Sequence, residues 1–121
     1  MIGYVTLGTN NLTRAAAFYD AIAKELGIAR AMESDSYIAW GAPGGASLFL
    51  IKPYDGNPAT VGNGVMVALG VKDQAQVDRI HALALSLGGK DEGAPGLRGG
   101  SFYAGYFRDL DGNKLNAFAM G

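Results

Sequence analysis

The chain has 121 residues, 49% of them hydrophobic and 17% charged, with a formal net charge of −1 at pH 7. That length suits one domain with a sizeable core, and near-neutral charge without a Lys/Arg cluster argues against nucleic-acid binding, which needs concentrated positive charge to displace counterions. The absence of cysteine excludes disulfides, thiolate-bound zinc and thiol catalysis, and no apolar run approaches the roughly 20 residues of a membrane helix.

In chain order, Met1-Ile2-Gly3-Tyr4-Val5 reads as the start of a strand and lacks the basic and apolar regions of a signal peptide, so a cytoplasmic location is the default expectation. Tyr4 to Gly8 alternates as a strand does, with Val5 and Leu7 on one face and Tyr4 and Thr6 on the other. Asn10 or Asn11 is placed to cap a helix in which Leu12, Ala15, Ala16, Tyr19, Ile22 and Leu26 recur at helical spacing, and Gly27 stops it. Three short runs around Ala29–Glu33, Tyr37–Trp40 and Ser47–Lys52, bounded by turn residues, read as a meander of strands. Residues 54–63 are turn-rich and aperiodic, which makes them a linker between a first module of about 1–53 and a second of about 64–121.

The second half restarts the pattern. Met66-Val67-Ala68-Leu69-Gly70-Val71 aligns without gaps on Tyr4-Val5-Thr6-Leu7-Gly8-Thr9. Asp73 and Gln76 suit a capping box, Val77, Ile80, Ala84 and Leu87 give a helix its inward stripe, and Gly88-Gly89 ends it. A short strand near Lys90–Glu92 should lead into a Gly/Pro-rich loop carrying Arg98. Two strands on either side of Asp111-Gly112 then close the chain as a hairpin, since Gly accepts positive φ in a tight turn. Strand, helix and three strands, performed twice, is an internal duplication.

Several of these residues carry a family resemblance. Tyr4-Val5-Thr6-Leu7, the helix entry Asn11-Leu12-x-Arg14 with Phe18-Tyr19, the restart Gly64-Val65-Met66-Val67-Ala68 and the ending Phe107-Arg108-Asp109-x-Asp111-Gly112-Asn113-Lys114-Leu115 resemble the vicinal-oxygen-chelate superfamily of glyoxalases, bleomycin-resistance proteins and extradiol dioxygenases. The resemblance implies an α+β fold of two tandem βαβββ modules whose mixed sheets curl around a central cup. It also implies a homodimer, with aromatic strand edges that would suit one.

Metal-using members of the superfamily hold a divalent cation between four side chains, two per module. Carried over residue by residue, those positions fall on Tyr4, Leu48, Met66 and Asn116. A phenol, an alkyl group, a thioether and a neutral amide are a poor donor set for a hard dication, which needs imidazole or carboxylate ligands. The resemblance therefore leads to a protein without a metal or other cofactor. The lone histidine, His81, falls on the second helix, at its surface or rim and away from the cup floor.

Strand alternation assigns Val5, Leu7, Val67, Leu69, Val71, Leu115 and Ala117 to the core. It assigns Tyr4, Thr6, Leu48, Leu50, Met66, Ala68, Asn116 and Phe118 to the cup, an apolar lining with a few polar points that suits a small ligand or else fills itself. Tyr4 and Asn116 either satisfy each other or meet a ligand's oxygen, and Arg98 either greets an anion or is solvated. The aromatics Tyr37, Trp40, Phe102, Tyr103, Tyr106 and Phe107 lie on the third strands, with no inward set distinguished. Arg108, Asp109 and Asp111 read as turn chemistry. The functional expectation is a metal-independent small-molecule-binding protein, with a candidate pocket of Tyr4, Thr6, Leu48, Leu50, Met66, Asn116, Phe118 and Arg98. The alternative is a glyoxalase- or dioxygenase-like enzyme, a lyase or oxidoreductase with a non-standard metal site.

Overall fold

The structure, a computed structural model, describes all 121 residues. It resolves into two compact units, Met1–Val61 and Gly62–Gly121, that repeat one plan. The first runs β1 (Tyr4–Gly8), α1 (Leu12–Glu25), β2 (Arg30–Glu33), β3 (Tyr37–Trp40) and β4 (Ser47–Ile51). The second runs β5 (Val67–Gly70), α2 (Gln74–Ser86), β6 (Lys90–Leu97), β7 (Phe102–Arg108) and β8 (Lys114–Met120). Each forms a four-stranded mixed sheet, ordered β1-β4-β3-β2 and β5-β8-β7-β6. The two outer strands β1 and β5 pair in parallel with the last strand of their module, and the remaining pairs are antiparallel. The expected α+β fold of tandem βαβββ modules is therefore present.

Local chemistry explains the helix starts. Asn11 caps α1, its side chain accepting from Arg14 N at 3.0 Å. Asn10 does other work, clasping the backbone of Ala59 through both amide atoms at 3.2 and 2.7 Å and so tying residues 53–61 to the first unit. Asp73 accepts from Gln76 N at 2.8 Å, while the Gln76 side chain reaches back to Lys72 N at 3.0 Å, one residue before the position of the usual capping box.

Within each unit the helix covers one face of the sheet. In the first, Ala15, Phe18, Tyr19 and Ile22 of α1 are buried with Leu7, Ile38, Trp40 and Leu50. Trp40 Nε1 donates to Asp20 of α1 at 2.8 Å, and its ring lies 5.6 Å from that of Tyr19. In the second unit, Val77, Ile80 and Ala84 of α2 are buried with Phe107, Leu115 and Ala117. Tyr103 donates its hydroxyl to Asp78 of α2 at 2.7 Å, an interaction that raises the phenol's pKa above its usual value.

Three expectations are corrected here. β6 continues through Leu97, so the Gly93–Gly96 stretch is strand rather than loop. It pairs with β7 through irregularities at Asp91/Gly93 and Gly93/Gly96, and as the outermost strand it tolerates Pro95 without losing an inner ladder bond. His81 is 5% exposed rather than at the surface. Its Nε2 lies 3.1 Å from Asp91 Oδ1 and 3.2 Å from the Tyr106 carbonyl, both of which can accept its proton. The third departure is in β4, where Leu48 and Leu50 share the face of Val5 and Leu7 and not that of Tyr4 and Thr6.

Candidate functional site

Paired residues on adjacent strands point to the same side of a sheet, so register settles which side chains share a face. In the first unit the pairs are Tyr4 with Ser47, Val5 with Leu48, Thr6 with Phe49 and Leu7 with Leu50. Leu48 and Leu50 therefore sit on the helix-covered face with Val5 and Leu7, and Leu50 is fully buried. Leu50 is core, Leu48 is half-buried on the same face, and both leave the candidate pocket. A one-residue difference in register is sufficient to exchange the faces of a whole strand. The open face of this sheet carries Tyr4 and Thr6 with Phe49, the residue that takes the place expected of Leu48. Tyr4 is 63% exposed, and its ring lies 4.8 Å from that of Phe49, which in turn lies 5.7 Å from Tyr37.

In the second unit Ala68 pairs with Asn116 and Gly70 with Phe118, and across β8 Asn116 pairs with Tyr106 and Phe118 with Ala104. The open face of this sheet thus groups Asn116, Phe118, Tyr106 and Phe102, with Ala68 and Gly70 beside them. The Phe102 and Phe118 rings stack with centroids 5.5 Å apart. Tyr103 and Phe107 take the helix side. Met66 directly precedes β5 and is 41% exposed. Arg98 follows β6, donates to the Ala94 carbonyl and places its guanidinium 5.5 Å from the Tyr106 ring centre, with Lys114 Nζ 5.6 Å from the same ring. Asn116, Phe118 and Arg98 are among the residues expected from the sequence; Tyr106 has no assigned face there because the phase of β7 is hidden behind Ala104-Gly105, and Lys114, on β8 beside the turn, carries no sequence signal of its own.

The Asn116 side chain is the sharpest feature of this face. It is 1% exposed, and no protein group donates a hydrogen bond to its buried Oδ1. Leaving such an acceptor without a donor costs about 1–3 kcal/mol. The neighbouring charges are arranged differently. Arg108 donates through Nε to Glu92 at 2.7 Å and through Nη1 to the Gly112 carbonyl at 3.0 Å. The Arg108 hydrogen bond holds the Glu92 carboxyl below the usual carboxylate range. Asp109 is consumed by the β7–β8 turn, its carboxylate accepting from the backbone of Asp111 and Asn113 at 2.9 Å each and from Asn113 Nδ2 at 3.0 Å.

The first unit also has a cleft of about 540 Å³ at the start of α1, floored by Leu12, Ala16 and Ile38 and rimmed by Arg30, Asp35 and Lys52. Its Arg30 is already occupied by Asp20 at 2.8 Å and Glu33 at 3.3 Å.

No protein-family model matches this chain, and no curated protein sequence matches it. Among solved structures, a glyoxalase/bleomycin resistance protein from Albidiferax ferrireducens T118 superposes with a TM-score of 0.93 at 34% identity, covering 100% of this chain and 99% of that one. A hypothetical protein from S. aureus reaches a TM-score of 0.76 at 26% identity, over 98% of this chain and 92% of that one. A lactoylglutathione lyase from Agrobacterium tumefaciens, at 20% identity and a TM-score of 0.71, shares the fold over 98% of this chain and 92% of its own. The chain belongs to the glyoxalase/bleomycin resistance protein family, within the vicinal-oxygen-chelate superfamily.

The metal that this fold holds in other members does not fit the residues present. The corresponding positions are Tyr4 and, by register, Phe49 in the first unit, and Met66 and Asn116 in the second. An aryl ring and a thioether contribute nothing to binding a hard dication, and a phenol and a neutral amide are weak donors for it. No group of three or more His, Cys, Asp or Glu side chains is gathered to hold a metal ion.

Proposed function

We propose that this protein is a metal-independent small-molecule-binding member of its family, and that the ligand engages the open face of the second sheet around Asn116. One observation carries this reading: a buried, unpartnered amide oxygen stands where the metal-using members place an acid. A polar group kept at such a cost is expected to meet a donor when the protein works. Apolar surface from Phe118 and Phe102 beside a few polar points is the usual composition of a small-ligand site.

The test is elemental analysis of the purified protein, together with thermal unfolding in the presence of Ni, Zn, Mn or Fe(II). No stoichiometric metal and no shift in Tm are expected; a metal bound at one per chain would reject the proposal. A Met66→Trp change, placing bulk at the entry to β5, should abolish stabilisation by any ligand found in a thermal-shift screen. Glyoxalase-type turnover of a hemithioacetal is expected to be absent, and its detection would favour the enzymatic alternative. We further propose a homodimeric, cytoplasmic protein. The exposed Tyr4 and Met32 on the first sheet support self-association, which sedimentation analysis would read directly.

A further inference from the structure

We infer that the ligand is an aromatic carboxylate bearing a hydroxyl or N–H donor close to its anionic end, lying across β5 and β8 of the second unit. This rests on the function proposed above and names the class of molecule that the same face would take.

Three features of that face, each with a different chemistry, lead to it. The first is the acceptor. Asn116 Oδ1 is buried and receives no hydrogen bond from the protein, so the complementary group is a donor, a hydroxyl or N–H. The second is the positive charge. Arg98 and Lys114 both lie within 6 Å of the Tyr106 ring, and Tyr106 is the direct cross-strand partner of Asn116. The nearby Glu92 carboxylate is engaged by Arg108, so the balance around Tyr106 stays positive. An anion on the ligand would thus sit beside the acceptor, where Arg or Lys can meet it with a charge-assisted hydrogen bond.

The third feature is apolar. Phe118 follows Asn116 by two residues on the same face, roughly 7 Å along the strand, and its ring stacks on Phe102. On the other side of Asn116 and Phe118 are their β5 partners Ala68 and Gly70, both exposed and nearly without side chain. The Phe118 ring edge already lies against Gly70, where a Cβ would stand 3.5 Å from Phe118 Cζ, so a flat ring lying over Ala68 would meet that edge without a steric obstacle from β5. Anion, donor and ring then fall in that order from Tyr106 to Phe118.

The probe is 3-phenyllactate, which has all three groups. It is compared with 3-phenylpropionate (no hydroxyl), the methyl ester of phenyllactate (no anion) and lactate (no ring), alongside a panel of neutral and cationic aromatics. Binding is followed by thermal shift and calorimetry on the metal-free full chain. Phenyllactate should bind, and each analogue should bind about tenfold or more weakly, the scale of one lost hydrogen bond or charge contact. Lys114→Ala and Arg98→Ala, at half-buried and exposed positions, should each weaken phenyllactate several-fold and leave the ester unaffected. Asn116→Leu should erase the preference for phenyllactate over phenylpropionate.

Equal binding of phenyllactate and phenylpropionate, or hits confined to neutral or cationic compounds, would overturn this inference while leaving a small-molecule-binding protein. Failure of every compound in the panel to bind would overturn the proposed function as well. The analogue series needs no mutant, so it decides the matter even if Asn116→Leu does not fold.

Discussion

The two halves of this protein can be compared residue by residue, because their registers run in step. Thr6 opposite Phe49 in the first sheet corresponds to Ala68 opposite Asn116 in the second, and Ala39 opposite Phe49 to Tyr106 opposite Asn116. On the helix side, Trp40 opposite Leu48 corresponds to Phe107 opposite Leu115. The helix faces have kept one solution, an aromatic ring against a helical ring or imidazole: Tyr19 on Trp40 in one unit, His81 on Phe107 in the other. The open faces have diverged. The first presents clustered aromatics, the second a buried amide flanked by cations. Core packing constrains volume in every direction and resists change, whereas an open face is limited mainly by what it must meet.

Leu50→Ala should have the largest effect, because Leu50 is fully buried on the helix face. A loss of about 2–5 kcal/mol is expected from urea unfolding, against a much smaller loss for Phe49→Ala on the open face. If the two costs were reversed, the face assignment would be wrong.

Gly105→Ile would import into the second unit the residue type of its first-unit counterpart, Ile38. Gly105 has no room for it. A Cβ there would lie 3.0 Å from Pro95 Cγ and 3.2 Å from His81 Cδ2. Overpacking of this kind costs about 1–3 kcal/mol, and His81→Ala in the same chain should recover part of it. Full stability of the single variant would show that the His81 niche is looser than its geometry indicates.

Asp20→Ala removes the acceptor of both Arg30 and Trp40 Nε1. The group is partly exposed, so a loss of about 1–2 kcal/mol is expected. The Arg30 hydrogen bond, partly offset by desolvation and aided by Trp40, lowers the Asp20 pKa. A carboxylate held lower in the folded state stabilises the fold above its unfolded pKa, near 4. That stabilisation disappears as the pH falls through the lowered folded value. Asp20→Ala should therefore flatten the acid limb of the stability–pH curve, and an unchanged limb would count against the pair.

The smallest effect on stability is expected for Asn116→Leu. Replacing a buried acceptor that lacks a donor with an alkyl group of similar size should leave stability unchanged or raise it by about 1 kcal/mol. A strong loss would mean that the amide is satisfied within the folded chain.

Much of this was legible in the residue order. The duplication, both helix caps and the closing hairpin follow from local chemistry, since Asn, Asp and Gly act on backbone atoms a few residues away. Asn116, Phe118 and Arg98 were identifiable because the β8 pattern is unbroken and the family framework surrounds it. The faces of Leu48 and Leu50 are not legible in the residue order, because β4, Ser47-Leu48-Phe49-Leu50-Ile51, is apolar at nearly every position and alternation gives no phase. Tyr106 was obscured by Ala104-Gly105 for the same reason.

The sequence by itself determined the scaffold and, through Tyr4, Met66 and Asn116, the loss of the scaffold's usual ligands, because side-chain chemistry does not depend on placement. Only the tertiary structure decided which face each strand shows, that β6 extends past Pro95, that His81 is buried, and that the Asn116 oxygen lacks a protein donor. Those outcomes depend on register and on what lies across a sheet, where a shift of a single residue exchanges core for surface.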